Sequence, residues 1–225
     1  MSTTTSPSFT PKAIIFDLLT ALLDSWTIWN ASTPTGTAAE GRKWRERYLE
    51  LTFGQGAYAP YEALVMQAAD DVNLPRSAPE ALIRDWPNLA AWPEVGDVLS
   101  RLRKKGYKLG VVTNCSREEG NMAVRNVEKA VTENGQRNFR FDAAITAEES
   151  GFYKPVLQAY HAILPELGVS ADEVLFVAGS NGDVEGATEA GFKVVWHNKI
   201  GLPKKGHAEP LRESRTLDDA LKDFV

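Results

Sequence analysis

Five polar residues follow short apolar runs of this chain, and together they carry the groups that a nucleophilic active site needs. They are Asp17, Thr113, Asn114, Lys154 and Asp183. A carboxylate is ionised at neutral pH but is a weak nucleophile, so it requires a fixed orientation, a dry pocket and electrostatic help. A lysine ammonium can supply the charge, and hydroxyl and amide groups can hydrogen-bond a substrate. These residue types therefore predict carboxylate chemistry if the fold brings them together.

The apolar runs are predicted to be buried strands that alternate with helices. Strands are expected at residues 13–16, 108–112, 141–146, 174–178 and 193–196, and helices at 95–106, 117–135, 155–167 and 184–190. This alternation implies parallel βαβ units and an α/β fold. In such a sheet the ligand lies at the carboxyl ends of the strands, where the polar residues above are expected.

A second region, without any strand pattern, separates the first two strands. Helices are predicted there at residues 38–53, 61–72 and 79–85, after a connection at residues 24–36. We therefore predict a helical insert at 26–90, a core made of 13–25 and 91–225, and a flexible tail at 1–12. Most of the tryptophans lie in or near the insert, and we expect them to form its core rather than to line a pocket.

Composition excludes several classes of protein. The chain has 225 residues and a net charge of −5, which gives no basic surface for nucleic acid. No apolar run approaches the roughly 20 residues of a membrane span. The one cysteine, Cys115, excludes an internal disulfide or a Cys-rich zinc site. The polar start lacks the apolar region of a signal peptide, so we expect a cytoplasmic protein.

The motifs, taken in order, resemble those of the haloacid dehalogenase superfamily of hydrolases. They are Phe16-Asp17-Leu-Leu, Val-Val-Thr113-Asn114, Gly151-Phe-Tyr-Lys154-Pro155 and Gly-Ser-Asn-Gly-Asp183, and the resemblance runs from Ala13 to about Asn198. It implies a Rossmann-like core with a cap inserted after the first strand, which the segment 26–90 matches. It also implies that Asp17 attacks the substrate and forms a covalent ester. The alternative for Asp17 is a turn or capping residue.

The resemblance assigns two groups of site residues. Catalytic roles are implied for Asp17, Lys154, Asp183 and Thr113. Substrate-binding roles are implied for Arg45, Asn114, Leu18, Leu19, Tyr160, Ser180 and Asn181. The backbone N–H groups of Leu18 and Leu19 are expected to stabilise an oxyanion when water splits the ester. The alternatives are a surface lysine for Lys154 and a helix N-cap for Asp183.

Two departures from the family's phosphatases indicate a different branch. Leu19 stands where phosphatases carry the second Asp of Asp-x-Asp, which protonates the leaving group, and Gly179 stands where they carry an acid that helps to hold magnesium. Leucine offers no proton and glycine no metal ligand. Phosphatase activity is therefore disfavoured, and we predict no metal and no cofactor.

The dehalogenating branch of the superfamily tolerates the loss of both acids. A halide is a good leaving group and departs without being protonated. Trp44-Arg45 resembles the Trp-Arg segment of 2-haloacid dehalogenases, in which the arginine binds the substrate carboxylate or the halide. Tyr160 and Ser180 match that branch, with Asn181 one place out of register. The alternative for Arg45 is a surface arginine paired with Glu46 or Glu50.

Other residues near the motifs leave questions open. Thr20-Ala21 replaces the family's Gly-Thr, so a threonine that hydrogen-bonds the nucleophile is missing, and whether Thr20 substitutes for it stays open. Dehalogenases also commonly carry an aromatic residue where this chain has Leu19. Cys115 is expected to be a buried or rim thiol without a catalytic role, and His197 a surface residue at the sheet end.

We therefore expect a metal-independent hydrolase that forms an aspartyl ester with a small carboxylate, and a 2-haloacid is the leading substrate. One alternative is a hydrolase of the same fold with another small-molecule substrate in a specialised pathway. The other is a non-catalytic binding protein on this fold. The expected partner is the small-molecule substrate, with no nucleic acid and no membrane, and a homodimer is compatible with the sequence.

Overall fold

Six parallel strands form one sheet in the computed structural model, which describes residues 9–225. The strands are β1 (Ala13–Phe16), β2 (Lys108–Thr113), β3 (Ala143–Thr146), β4 (Val174–Ala178), β5 (Lys193–His197) and β6 (Arg212–Ser214). Their order is β3-β2-β1-β4-β5-β6, and every neighbouring pair is parallel. The predicted α/β fold is confirmed. β1 lies between β2 and β4, so Asp17, the residue after β1, lies at the end of a central strand of the sheet.

Helices cover both faces of the sheet and bury an apolar cluster on each side. They are α5 (Val95–Lys104), α6 (Arg117–Glu133), α7 (Ala147–Ser150), α8 (Leu157–His161), α9 (Leu164–Leu167), α10 (Asn181–Glu189) and α11 (Leu217–Ala220). Within residues 9–225, no helix combines the length and apolar character that crossing a bilayer requires.

Four helices lie between β1 and α5 and form what we call the insertion. They are α1 (Ser25–Ala31), α2 (Ala38–Gln55), α3 (Tyr61–Asp71) and α4 (Ser77–Asp85), followed by a 3₁₀ turn at Trp86–Asn88. Their shared core is aromatic, with ring centroids of Trp29 and Trp44 4.5 Å apart and those of Tyr61 and Trp86 5.7 Å apart. These tryptophans are buried packing residues, as expected.

Two short linkers join the insertion to the rest of the chain and pair with each other. Leu23 and Ala91 form an antiparallel bridge, Asp24 N–H donates to the carbonyl of Ala90, and Trp92 N–H donates to that of Leu22. The insertion then reaches back over the sheet, since the Tyr48 hydroxyl of α2 donates to the Asn114 carbonyl after β2 at 2.9 Å. The insertion therefore lies over the carboxyl ends of the strands.

The structure differs from the sequence prediction at several elements. The helix predicted at 155–167 is two short helices, α8 and α9, because Pro165 has no N–H to donate to a carbonyl of α8 and instead stands in the first turn of α9. The connection predicted at 24–36 contains α1, which the Asp24 side chain caps. Strand β6 has a polar sequence with no apolar run to reveal it.

The N-terminal segment is described only in part. Of the predicted tail 1–12, residues 1–8 lie outside the described residues. Phe9 packs edge-on against Phe224, and Lys12 N–H donates to the Glu173 carbonyl at 2.8 Å. Residues 9–12 thus contact the residue just before β4 and the last residues of the chain.

Candidate active site

The carboxyl ends of β1 and β4 hold two carboxylates on either side of one ammonium. Lys154 Nζ lies 2.9 Å from Asp17 Oδ1 and 3.0 Å from Asp183 Oδ2. Asp17 is 7% exposed, and Lys154 and Asp183 are each 1% exposed. The expected convergence of these three side chains therefore exists, and water has little access to their charges.

Asp17 is held asymmetrically by its own loop. Its Oδ2 accepts hydrogen bonds from Thr20 N–H at 3.0 Å, Thr20 Oγ1 at 2.6 Å and Ala21 N–H at 3.2 Å, whereas Lys154 is the donor to Oδ1. The Thr20 hydroxyl thus bonds the nucleophile candidate, which answers the question that the Thr20-Ala21 sequence raised. Three donors saturate Oδ2, so the remaining lone pair for attack is on Oδ1.

These contacts set the charges of the pair. Burial raises the pKa of Asp17, but the Lys154 charge and the Thr20 hydrogen bonds outweigh it, so that the pKa lies below its ordinary value. Burial lowers the pKa of Lys154, but Asp17 and Asp183 outweigh it and raise that pKa overall. Asp17 is consequently an anion and Lys154 a cation at neutral pH.

Asp183 has different partners and a different titration. Its Oδ1 accepts from the Tyr160 hydroxyl at 2.9 Å, and its Oδ2 accepts from Ser180 Oγ at 3.4 Å as well as from Lys154. Burial, together with the charge of Asp17, raises the pKa of Asp183 above its ordinary value despite Lys154. Asp183 is therefore the more basic carboxylate of the two.

The backbone of Lys154 is fixed by the side chain of Asn114. Asn114 Nδ2 donates to the Lys154 carbonyl at 3.1 Å, and Lys154 N–H donates to Asn114 Oδ1 at 2.7 Å. Asn114, expected to bind substrate, thus uses both ends of its amide to place the lysine. The Thr113 hydroxyl points to Cys115 Sγ at 3.5 Å rather than to Asp17.

Arg45 of α2 is a buried cation that has no carboxylate partner among residues 9–225. It is 1% exposed, and its guanidinium lies 4.5 Å from the ring centroid of Trp26 and 5.3 Å from that of Trp29. Among the described residues, its Nε and Nη1 have no hydrogen-bond partner. Burial lowers the pKa of Arg45, but a guanidinium remains charged in proteins. The surface alternative is therefore wrong, and the helix presents an unpaired positive charge to the site.

A small cavity of about 30 Å³ joins these groups, room for about one water molecule. It is lined by Asp17, Leu19, Thr20, Arg45, Tyr48, Leu49, Thr52, Phe53, Thr113, Asn114, Lys154, Ser180 and Asp183. Leu49 and Phe53 also line an outer cleft of about 390 Å³, which opens between α2 and the segment at 202–205. These two side chains thus lie between the inner cavity and the outer cleft.

Sequence reasoning missed most of the lining that α2 supplies. Tyr48, Leu49, Thr52 and Phe53 follow Arg45 at three, four, seven and eight positions, the spacing of one helix face. Once Arg45 was assigned to the site, that periodicity would have found them. Thr20 also lines the cavity, although the sequence analysis left its role open and did not assign it to the site.

Some expected site residues lie elsewhere. Asn181 donates from Nδ2 to the Pro203 carbonyl at 2.8 Å, away from Asp17. Tyr160 stands behind Asp183, and Leu18 is buried in the core, so neither lines the cavity. Among the described residues, the N–H groups of Leu18 and Leu19 donate no hydrogen bond. Their expected oxyanion role remains a prediction.

Cys115 and His197 are both buried, the first as expected and the second not. Cys115 is buried, and burial raises its pKa to about 12, so its thiol stays protonated. His197 is 0% exposed, so the expected surface position is wrong. It lies at the end of an interior strand, β5, where Nδ1 donates to the Ala21 carbonyl at 2.8 Å and neighbouring segments cover the ring.

Gly179 explains why no acid stands at its position. A Cβ atom there would lie 2.2 Å from Thr20 Oγ1 and 2.7 Å from Asp17 Oδ2. Real Cβ atoms do not approach other atoms so closely. The space that a metal-binding carboxylate would need is taken up by the loop that holds Asp17.

With this geometry in place, comparison with known proteins establishes the class. The model of the haloacid dehalogenase-like hydrolase family matches residues 14–197, and the chain belongs to that family of enzymes. It is 28% identical to the (S)-2-haloacid dehalogenase H-109 of Pseudomonas putida, over 95% of this chain and 97% of that one. Another (S)-2-haloacid dehalogenase of Pseudomonas putida is 26% identical over 84% of this chain and 85% of its own.

A solved structure supports the same fold. The L-2-haloacid dehalogenase from Xanthobacter autotrophicus superposes with a TM-score of 0.78, covering 95% of this chain and 99% of that one at 21% identity. At this identity the likeness concerns the fold alone.

Proposed function

We propose that this hydrolase is a 2-haloacid dehalogenase that works through an ester on Asp17 and without a metal ion. The observation that carries the proposal is the pairing of two buried charges across one small cavity. On one side Asp17 has a single oxygen with an open lone pair, and on the other Arg45 is a cation with two unpartnered nitrogens. An anionic substrate with an electrophilic carbon fits between them.

In the first step, Asp17 Oδ1 attacks the carbon that bears the halogen. The carbon–oxygen bond forms as the carbon–halogen bond breaks, and the halide leaves with the bonding electrons. No proton is needed, which suits the leucine at position 19, where phosphatases carry their acid. Arg45 is positioned to bind the substrate carboxylate or the departing halide through its planar fork.

In the second step, water attacks the carbonyl carbon of the ester. If Oδ1 carries the substrate, Oδ2 is the carbonyl oxygen, and negative charge develops on it. The three donors from Thr20 and Ala21 already point at Oδ2, so they supply the oxyanion stabilisation. We therefore propose Thr20 and Ala21 for this role, in place of Leu18 and Leu19, whose expected part in it no contact tests.

Asp183 is the base that we propose for this water. Its raised pKa makes it the stronger proton acceptor of the two carboxylates, and Tyr160 and Lys154 fix its position. The proton taken from water returns to the alkoxide of the leaving 2-hydroxy acid. The intermediate collapses, and one oxygen from water stays on Asp17. The second proton of that water is released from Asp17 to solvent, because the pKa of Asp17 is lowered, and the carboxylate is restored.

The insertion is proposed to act as a cap that opens and closes over this site. The inner cavity holds about one water molecule, whereas Leu49 and Phe53 stand between it and the outer cleft. A substrate therefore reaches Asp17 when these side chains move aside, and closure then excludes water from the attack. The small inner volume favours short 2-haloacids, and the names of the relatives favour the (S) enantiomers.

The test measures halide release and isotope transfer together. The purified protein is offered (S)- and (R)-2-chloropropanoate, chloroacetate and an aryl phosphate, and free halide and phosphate are measured. A single turnover in ¹⁸O-labelled water is then analysed by mass spectrometry of the peptide containing Asp17. We expect halide from the haloacids, label in that peptide and an unlabelled first product. Asp17→Asn should release no halide.

Three results would contradict the proposal. Label in the first product alone would remove the ester mechanism. Absence of halide release from every haloacid, with tight binding of one of them, would favour the alternative of a non-catalytic binding protein. Strong phosphate release that requires magnesium would place the chain among the phosphatases of the family.

A further inference from the structure

One peptide group links a tryptophan outside the cavity to the Asp17 carboxylate. The Trp92 indole Nε1 donates to the Thr20 carbonyl at 3.1 Å. The carbon of that carbonyl is bonded to the nitrogen of Ala21, whose N–H donates to Asp17 Oδ2 at 3.2 Å. Two hydrogen bonds therefore run in series through a single planar amide.

We infer that Trp92 is a positioning residue for the nucleophile, acting through the Thr20–Ala21 peptide. This inference rests on the proposed role of Asp17. A donor on the carbonyl oxygen fixes the plane of the peptide and polarises it, so the N–H at the other end becomes a stronger donor. Trp92 thereby supports both the orientation of Asp17 and, once the ester has formed, the charge that develops on Oδ2.

The neighbouring peptide is anchored in the same way. His197 Nδ1 lies 2.8 Å from the Ala21 carbonyl, and because a carbonyl only accepts, Nδ1 carries the proton. The carbonyls of Thr20 and Ala21, the two residues whose donors hold Asp17, thus each accept a hydrogen bond from a ring N–H. The indole is the one that shares an amide with a donor to Asp17, so it is the sharper test.

Trp92 is also fixed in position from outside. Its backbone N–H donates to the Leu22 carbonyl at 3.0 Å, within the paired linkers of the insertion. Lys199 Nζ lies 5.3 Å from the centroid of the indole ring and pairs with Glu94 at 2.8 Å. The linker that carries the insertion is therefore in hydrogen-bond contact with the loop that carries Asp17.

The variant Trp92→Phe removes the N–H and keeps an aromatic ring. Because the lost donor acts on Asp17 and not on substrate, we expect kcat to fall about tenfold while KM changes little. We also expect the acid limb of the pH profile of kcat/KM to move upward by about half a unit, since a donor to the ionised carboxylate is weakened. Replacement by benzothienylalanine, which keeps the bicyclic shape without N–H, should give the same changes.

The matched control is Trp86→Phe. Trp86 Nε1 also donates to a backbone carbonyl, that of Glu119 at 3.0 Å, but this peptide has no contact with Asp17. Trp86→Phe should lower the melting temperature and leave the pH profile where it is. A Trp92→Phe enzyme with the kcat and pH profile of the wild type would overturn the inference, as would equal shifts of the profile in both variants.

A second readout separates this inference from the proposed function. If the wild type releases no halide, the proposed function fails, but the Asp17 carboxyl can still be titrated by ¹³C NMR. A higher carboxyl pKa in Trp92→Phe than in the wild type would support the peptide link. An unchanged titration would overturn it, whether or not the protein turns over haloacids.

Discussion

Gly179 and Thr20 share one small space beside the Asp17 carboxylate. A Cβ atom on Gly179 would lie 2.2 Å from Thr20 Oγ1, and this hydroxyl donates to Asp17 Oδ2 at 2.6 Å. The missing side chain at 179 and the hydroxyl at 20 are therefore complementary. Position 179 carries no side chain because the loop after β1 places the Thr20 hydroxyl there.

This packing predicts that Gly179→Ala is harmful although the change is one methyl group. We expect a loss of stability of about 1–3 kcal/mol, typical of overpacking, and a larger relative loss of activity because Thr20 is pushed from Asp17. Thermal unfolding and halide release measure the two effects. Gly54→Ala is the control, since nothing lies within 4 Å of a Cβ at that helical glycine, and it should be neutral or stabilising.

Removal of metal ions is expected to leave the turnover unchanged. Phosphatases of the family use acids at the positions of Leu19 and Gly179, and the crowding at 179 leaves no room for one here. Within residues 9–225, no group of three or more His, Cys, Asp or Glu side chains could hold a metal ion. Halide release should be the same before and after exhaustive EDTA treatment. Activity that is lost with EDTA and restored by magnesium would contradict this.

The pH dependence follows from the charges of Asp17 and Lys154. The pKa of Asp17 is lowered from 3.8, so its contribution to stability is present above that value and is lost as the pH falls through the folded-state pKa. The pKa of Lys154 is raised from 10.5, so its contribution is present below that value and is lost as the pH rises through the folded-state pKa. Between about pH 5 and 9, Asp17 stays ionised and Lys154 stays protonated. Neither group should therefore limit kcat/KM in that range.

Thr20→Val tests the cause of the low pKa. The isosteric change removes the hydroxyl that bonds Asp17 Oδ2, so we expect the acid limb of kcat/KM to move upward by about one unit. Thr132→Val is the control, because that hydroxyl donates to the Glu128 carbonyl within α6. An acid limb that stays in place in Thr20→Val would show that the hydroxyl does not contribute to the low pKa of Asp17, which would then depend on Lys154 and the backbone N–H donors.

The parallel α/β fold and the identity of the three central charges were predictable, because apolar runs mark the buried strands and the three charges lie in the loops that follow them. The contacts that hold these charges in place were not predictable. The bond from Trp92 to Thr20 joins residues 72 positions apart, and the pairing of Asn114 with Lys154 joins residues 40 apart. Such contacts depend on how linkers and loops pack, for which a single sequence carries no periodic signal.

Phe53 is predicted to control which substrates reach Asp17. Its ring packs against Gly182, where a Cβ atom would lie 2.5 Å from Phe53 Cε1, and it lines both the inner cavity and the outer cleft. Phe53→Ala should raise kcat/KM for a long-chain 2-haloacid about tenfold relative to 2-chloropropanoate. Met66→Ala, at an exposed residue of α3, is the control. An unchanged preference would show that substrates enter by another route.

Arg45 should separate stability from activity. A buried cation without a carboxylate partner costs free energy, so replacing it with an apolar side chain of similar length is expected to leave the melting temperature unchanged or raise it. Arg45→Met should nevertheless abolish turnover, because the positive charge that receives the anion is gone. Arg45→Lys keeps the charge but loses the planar stacking on Trp26 and Trp29, and we expect a severe loss of turnover there too.

Anion binding gives a readout of Arg45 that does not depend on catalysis. If Arg45 receives the halide, bromide should raise the melting temperature of the wild type in a concentration-dependent manner and should not do so in Arg45→Met. Arg47→Met is the control, since Arg47 is partly exposed on the same helix and pairs with Asp71 at 2.7 Å. Its loss should change the melting temperature little and leave bromide stabilisation intact. Equal bromide effects in the wild type and Arg45→Met, or a marked fall in the melting temperature of Arg45→Met alone, would indicate a structural arginine that takes no part in anion binding.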